Sequence, residues 1–303
     1  LAWTGLALLG GCAGTPPQSG GIPGVLAPEA KLELVREGFG FTEGPLPAAD
    51  GGIYFTDIPA ARVHRLDAQG AITVLYENTG SANGLARDRN GDLLAIESAG
   101  KRIRRYTQDG SAVEVTRGDG VNAMLQPNDL IVDAKGGIYF TDPGTRPIIP
   151  GRKVHVYYLP PGAKNARVVE DRLPRPNGLT ITLDGKRLIV ADTVDQTLWQ
   201  YDIATDGGLG NRRPFAAVQN VPAGADSGAD GIAIDRDGRL FVTCATGVQI
   251  FDRDGRYLGN IAVPRKPTNV AFSGPDKRVL YITAREGVYR IQTLTRGPDR
   301  PGK

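Results

Sequence analysis

The feature that most constrains this chain is a repeat. A strand-like segment recurs six times, as GGIYFTD at 51–57, GDLLAIE at 91–97, GGIYFTD at 136–142, KRLIVAD at 186–192, GRLFVTC at 238–244 and KRVLYIT at 277–283. The last residues of successive copies lie 40, 45, 50, 52 and 39 positions apart, the spacing of a unit of four strands. A second element precedes each copy and begins at Glu43, Asn83, Asn128, Asn177, Asp230 and Asn269. From that residue to the end of the following strand is 14 residues in five copies and 15 in one. So constant an offset places both elements in one repeated hairpin, joined by turn sequences such as DRNG, DAKG, LDG and DRDG. A third segment follows, seen in RVHRLD, RIRRYT, KVHVYYL, TLWQYD, GVQIFD and GVYRIQ, alternating as a half-buried strand does. No stretch shows helical periodicity, and the gaps are too short and turn-rich for the crossover helices of a βαβ fold. The repeat therefore predicts an all-β chain, a six-bladed β-propeller with four-stranded blades, as a single domain over residues 29–300. The segment KLELVREG at 31–38 precedes the first copy and is expected to supply the outer strand of the last blade, closing the ring and removing a free edge.

Composition agrees. In 303 residues, 40% hydrophobic side chains are enough for a large core, and 41 Gly with 22 Pro suit many short strands and tight turns. The net charge of +3, from 36 basic and 33 acidic groups of interspersed sign, draws the chain to no nucleic acid. Its densest basic run, KRIRR at 101–105, reads as the solvated face of a strand. Two cysteines, Cys12 and Cys244, exclude a disulfide-stapled scaffold and a four-thiolate metal site. The two histidines, His64 and His155, fall within alternating strand patterns, which leaves no Ser-His-Asp triad. DRNGD and DRDGR lack the closing glutamate of a twelve-residue calcium loop and read as hairpin turns.

The chain begins LAWTGLALLGGCAGTPPQSG. Its apolar stretch is too short to span a bilayer, and the small residues before Cys12 read as a bacterial lipoprotein cleavage site. Residues 1–28 are accordingly expected to be a truncated signal and a Gly/Pro linker. Lipidation of Cys12 would tether the protein to a membrane and make it periplasmic or outer-membrane-anchored.

In a propeller the innermost strand of every blade runs along the central axis, so residues at one repeat position converge on a ring. Here that position holds Glu43, Asn83, Asn128, Asn177, Asp230 and Asn269. Two carboxylates and four carboxamides, with no imidazole or thiolate, form a hard-oxygen set. Calcium suits it best, because that ion accepts mixed carboxylate and amide ligands in flexible geometry. Magnesium wants a tighter octahedron with more water, and zinc wants nitrogen or sulfur. The competing reading is that Asn or Asp followed by Gly opens a turn. It covers Asn83, Asn177 and Asp230, but neither Glu43 nor Asn128, which precedes Asp129.

At these residues the chain resembles the SMP-30/gluconolactonase family, over roughly residues 35–295. The resemblance is carried by FTEGP at 41–45, PNDL at 127–130 followed by YFTDP at 139–143, RPNGLTITLDGKRLIVADT at 175–193, ADGIAIDRDGRLFV at 229–242 and PTNVAFSGPDKRVLYITA at 267–284. It implies Glu43, Asn177 and Asp230 as core calcium ligands, with Asn128 as a fourth ligand or a substrate contact. It further implies Asp230 as general base, and hydrolysis of a sugar lactone such as glucono-1,5-lactone to the aldonic acid. Another divalent cation such as Zn2+, Mn2+ or Mg2+ is an expected alternative to Ca2+ in vitro. Asn83 joins the expected substrate contacts, as does Arg146 in the overhanging excursion DPGTRPIIPGR. Three departures stand out: Leu46-Pro47 where many members have Trp, Glu97-Ser98-Ala99-Gly100 where a Cys-Glu-His-type sequence is common, and Gln126 in place of an Arg. Other lactones, aryl esters or organophosphates remain alternative substrates on the same metal site, as does a non-enzymatic periplasmic binding role. A closed propeller has no edge that forces association, so the chain is read as a monomer or a dimer.

Overall fold

The computed structural model describes residues 20–107 and 109–300. Their strands form six four-stranded antiparallel sheets. Counted along the chain, the innermost strands are Thr42–Pro47, Ala82–Arg87, Leu130–Val132, Pro176–Ile181, Ile232–Ile234 and Asn269–Ser273. Each is followed in its blade by the recurring segment, now Ile53–Asp57, Leu93–Glu97, Ile138–Asp142, Arg187–Asp192, Leu240–Cys244 and Val279–Ala284. The sixth blade takes its outer strand from the front of the chain. Glu33–Glu37 pairs antiparallel with Gly287–Gln292, Glu33 opposite Arg290 and Glu37 opposite Gly287. Blade six is thus closed by residues that precede blade one, as KLELVREG suggested.

The core lies between blades rather than at a single centre. Leu94, Ile96 and Ile103 of blade two, for example, share a buried cluster with Leu130, Phe140 and Tyr157 of blade three. Both faces of the second strands are covered in this way, which explains why Leu240–Cys244 and Leu93–Glu97 are buried throughout. Each such Leu, Ile or Phe contributes roughly 1.5–3 kcal/mol on burial.

A second device joins the blades around the axis. Thr56 Oγ1 donates to Asn83 O (3.0 Å), Ser98 Oγ to Pro127 O (2.6 Å), Thr141 Oγ1 to Asn177 O (2.8 Å) and Thr193 Oγ1 to Ala229 O (3.1 Å). Thr243 Oγ1 donates to Thr268 O and Thr268 Oγ1 to Thr42 O, each at 2.8 Å. Every blade therefore grips the next at, or one residue before, the polar ring position. A bond of this kind contributes about 1 kcal/mol, and the six together hold that position in register around the closed circle.

The front of the chain departs from expectation. Ile22 and Leu26 bridge across a tight turn, in which Gly24 takes φ +70°. Ile22, Val25 and Leu26 are buried against Phe241, Ile250, Val270 and Ile282. The linker expected to run to residue 28 therefore stops earlier, because its Ile-Pro-Gly-Val sequence forms a turn that docks three apolar side chains on the propeller. Cys12 lies outside the described residues.

Candidate active site in the propeller mouth

All six ring residues come to one place, and the glycines show how closely. A Cβ on Gly44 would sit 2.2 Å from Asn83 O, one on Gly178 2.0 Å from Asp230 O, and one on Gly231 2.0 Å from Asn269 Oδ1. No side chain fits between these inner strands, so the glycines following Asn177 and Asp230 serve close approach, which answers the competing reading of them as turn residues. Of these three only Gly44 adopts a positive φ, 52°. The register slips at the ring position in three blades, between Glu43 and Leu46, Ala82 and Leu85, and Pro176 and Leu179. Such bulges re-aim a side chain out of the ladder. In blades three and five the ring residue lies just before the strand, its amide still bonded across: Asn128 N to Thr141 O and Asp230 N to Thr243 O, both 2.9 Å.

Side-chain partners divide the ring into roles. Asn269 Nδ2 donates to Glu43 Oε2 at 2.9 Å, and Asn269 Oδ1 accepts Val270 N at 2.9 Å. Its carboxamide is spent on orienting Glu43, whose Oε2 also accepts Gly44 N at 2.7 Å. Asn177 Nδ2 donates to Thr193 Oγ1 at 2.9 Å, while its Oδ1 is buried with no hydrogen-bond partner, as is Asn83 Oδ1. A buried carboxamide oxygen left without a donor costs about 1–3 kcal/mol. With an oriented glutamate in the same ring, these are acceptors that a hard cation or a hydroxyl donor would satisfy. Among the described residues no group of three or more His, Cys, Asp or Glu side chains is placed to hold a metal. The ring's carboxylates are only Glu43 and Asp230, and its remaining oxygens are amides, a donor set that fits calcium and does not fit zinc. Glu43, Asn83, Asn177 and Asn269 are buried, whereas Asn128 and Asp230 are partly exposed and face whatever enters the mouth.

Carboxylates behind the ring set the wall of the mouth. Asp142 accepts Leu125 N (2.6 Å) and Gln126 N (2.8 Å), and Asp192 accepts Arg175 N (2.8 Å), Val194 N (2.9 Å) and Asp195 N (3.0 Å). Both hold neighbouring loops by accepting their backbone amides. Burial pushes the Asp192 carboxyl up, and the three backbone donors pull against that. Arg146 arrives at the mouth but spends Nη2 on Asp226 Oδ2 at 2.8 Å. The pair ties the excursion after Asp142 to the loop before Asp230, and at 50% and 44% exposure its contribution is about 1 kcal/mol or less.

Two residues here escaped the sequence reading. Arg175, 9% exposed, donates through Nη1 to Pro143 O and Thr145 O, both at 3.1 Å. Burial lowers its affinity for the proton, with Arg146 adding to that, while Asp230, Asp192 and Asp226 oppose it; the guanidinium therefore stands within the field of the ring. Asp129 is buried beside Gly84 and accepts Leu130 N at 2.9 Å. Both lie inside motifs already noted, RPNG and PND, but neither occupies the repeat position that drew attention to the others. His64 and His155 lie on strands, and burial pushes both imidazoles below the usual histidine range.

A family model described as the SMP-30/gluconolactonase/LRE-like region matches residues 41–286. The chain belongs to this family. Lactone and ester hydrolysis is the activity at the level of the family. The chain is 26% identical to a gluconolactonase of Zymomonas mobilis over 306 aligned positions, covering 91% of this chain and 85% of that protein. It is 31% identical to the pentonolactonase XacC of Haloferax volcanii, covering 81% of each. Among solved structures, a gluconolactonase of Xanthomonas campestris superposes with a TM-score of 0.78 at 30% identity, covering 88% of this chain and 90% of that one.

Against the SMP-30/gluconolactonase pattern, the departures now have a structure. Glu97 is fully buried and receives Arg102 Nε at 2.6 Å and the Tyr106 hydroxyl at 2.5 Å, so blade two fills this region with an ion pair. Leu46 is buried with Val63, Leu85 and Tyr106. Gln126 is exposed and held by its backbone, while the buried guanidinium of this mouth comes from Arg175 in the loop before blade four.

Proposed function

We propose that the protein is a calcium-dependent lactonase that hydrolyses a sugar lactone of the glucono-1,5-lactone type to its aldonic acid. The observation that carries this reading is the ring itself, in which an oriented Glu43 stands with two buried, unsatisfied carboxamide oxygens at the open end of the channel. The gluconolactonase and pentonolactonase relatives support the substrate class. Glu43, Asn177, Asp230 and Asn128 would hold the ion. When bound, it supplies a Lewis acid that polarises the lactone carbonyl and offsets the charge growing on that oxygen.

The chain's own groups do the rest. Asn269 and the Gly44 amide hold Glu43 in one rotamer, and Thr193 turns Asn177 so that its oxygen points away from the amide anchor. Asp230, partly exposed at the mouth, orients the attacking water and takes its proton. Asn128 and Asn83 meet sugar hydroxyls from the ring, and Arg146 meets them from the overhanging loop that Arg175 braces. Proton release on adding freshly dissolved glucono-1,5-lactone, with calcium, after chelation and with Asp230→Asn, tests the reading. Calcium-dependent turnover well above spontaneous hydrolysis, lost in the variant, is expected. No acceleration by a protein that demonstrably binds calcium would overturn it.

We also read Cys12 as lipidated and the chain as periplasmic or outer-membrane-anchored. Labelling of the protein by a palmitate analogue in its native host, abolished by Cys12→Ala, is the expected result; unlabelled protein would refute it.

A further inference from the structure

The channel has a second end, and its chemistry is the reverse of the ring's. The inner strands of blades one, two, five and six finish around a cavity of about 110 Å³, lined by Arg87, Lys277 and Arg300 together with apolar groups such as Pro47, Ala233 and Phe272. That is several times the room one water requires. The tail of the chain forms its floor. Leu294 N bonds Val25 O at 2.9 Å, and Gly297 N bonds Lys277 O at 2.8 Å. Gly297 sits so close to Phe272 that a Cβ would come within 2.5 Å of the ring's Cβ. This path carries Arg300 under the channel, where Nη1 donates to Ile181 O at 2.6 Å and Nη2 to Thr180 Oγ1 at 3.2 Å.

A carbonyl and a hydroxyl orient a guanidinium but do not neutralise it, and burial pushes Arg300 down to about 10. Arg87 likewise has neutral partners: Nη1 donates to Gly91 O at 2.9 Å, and its guanidinium lies 5.0 Å from the centre of the Tyr54 ring. Neither arginine has an ion pair among the described residues. Lys277 alone is compensated, by Asp299 at 3.0 Å. Among the described residues no Asp or Glu lines the cavity.

We propose that this lower end of the channel is a binding site for one small oxyanion, phosphate or a carboxylate, drawn there by the charge of Arg87 and Arg300, which both line the cavity. The planar fork of arginine matches both anions, and the site shares no residue with the ring, so the proposal stands apart from the lactonase reading. An anion there supplies the missing counter-charge and fastens the tail beneath the blades that it crosses.

The test is thermal unfolding of the calcium-loaded protein in inorganic phosphate, with acetate and chloride at matched ionic strength, at micromolar free calcium so that no salt precipitates. A hundredfold excess of phosphate over its Kd is expected to raise Tm by roughly 5 °C, with titration calorimetry giving one anion per chain. A response to acetate in place of phosphate assigns the site to carboxylates. The increment should vanish in Arg300→Met and in Arg87→Met, and persist in part in Arg300→Lys. Because the readout is the increment and not the starting Tm, a variant that is itself less stable still reports. Equal increments in wild type and both Met variants, or a chloride response as large as those of phosphate and acetate, would overturn the proposal.

Discussion

The two ends of the central channel are built from the same six strands and ask for opposite charges. At the mouth, at or just before the starts of the strands, stand Glu43, Asn83, Asn128, Asn177, Asp230 and Asn269, a set of oxygens that wants a cation. At the other end Arg87 closes the second inner strand, and Arg300 reaches in from the tail, with no Asp or Glu among the described residues that line the cavity. The difference lies in how each end is assembled. The mouth is repetitive: one position, six blades, and hydroxyl-to-carbonyl bonds passing from each blade to the next. The lower end is aperiodic, and its decisive residue comes from a segment after the last strand. A repeat scaffold sets up coordination by symmetry on one face and leaves the other to be completed by whatever the tail carries.

The comparison breaks first at Asp230. If the mouth is catalytic, Asp230→Asn lowers kcat/KM for glucono-1,5-lactone by about 10²–10⁴-fold, measured by proton release, while the phosphate increment at the lower end is unchanged. Loss of both effects in that variant would mean that the two ends are not separate sites. The next largest effect is expected from Asn269→Ala, which removes the donor that orients Glu43. Calcium affinity should fall about 10- to 100-fold by calorimetry, with a correspondingly smaller gain in Tm on adding calcium.

Gly178→Ala sharpens the structural side. Its Cβ would lie 2.0 Å from Asp230 O, so blades four and five must part, at a cost of about 1–3 kcal/mol in denaturant unfolding. Arg146→Ala should be the mildest of the mouth variants, at about 1 kcal/mol or less in stability. A rise in KM without a fall in kcat would identify it as a substrate contact, and unchanged kinetics would leave it as a partner of Asp226 only.

A pH scan separates blade one from both ends. His64 stacks on Phe55 at 5.1 Å and meets Phe39 edge-on at 5.2 Å, and burial lowers its pKa. The unfolded chain therefore binds this proton first, and stability falls as pH drops below about 6.5 toward the folded value. His64→Phe should flatten that acid slope in Tm; an identical slope would remove His64 from the account.

Much of this was legible before any coordinates. The strand GGIYFTD and its copies set the blade count, because a blade cannot bury its faces alone and must repeat. The offset between Glu43 and Asp57, kept in four other blades and one residue longer in blade four, named the ring, because one repeat position maps to one radius. Even the pairing of Glu33–Glu37 with the last blade followed from counting strands. What was not legible depended on contacts without a period. Ile22, Val25 and Leu26 looked like linker until they met Phe241 and Ile250. Arg175 and Asp129 were visible as letters in motifs but not as groups beside the ring.

Sequence by itself determined the closed six-bladed circle and the six oxygens at its axis, because both follow from local periodicity repeated along the chain. Only the tertiary structure decided which of those oxygens are free to bind and which are spent, as Asn269 is on Glu43 across 226 residues of chain. It alone decided as well that the tail brings Arg300 to Ile181, 119 residues away. Such pairings are set by the geometry of ring closure, which places residues from distant blades within hydrogen-bond reach and leaves no mark on the spacing of either.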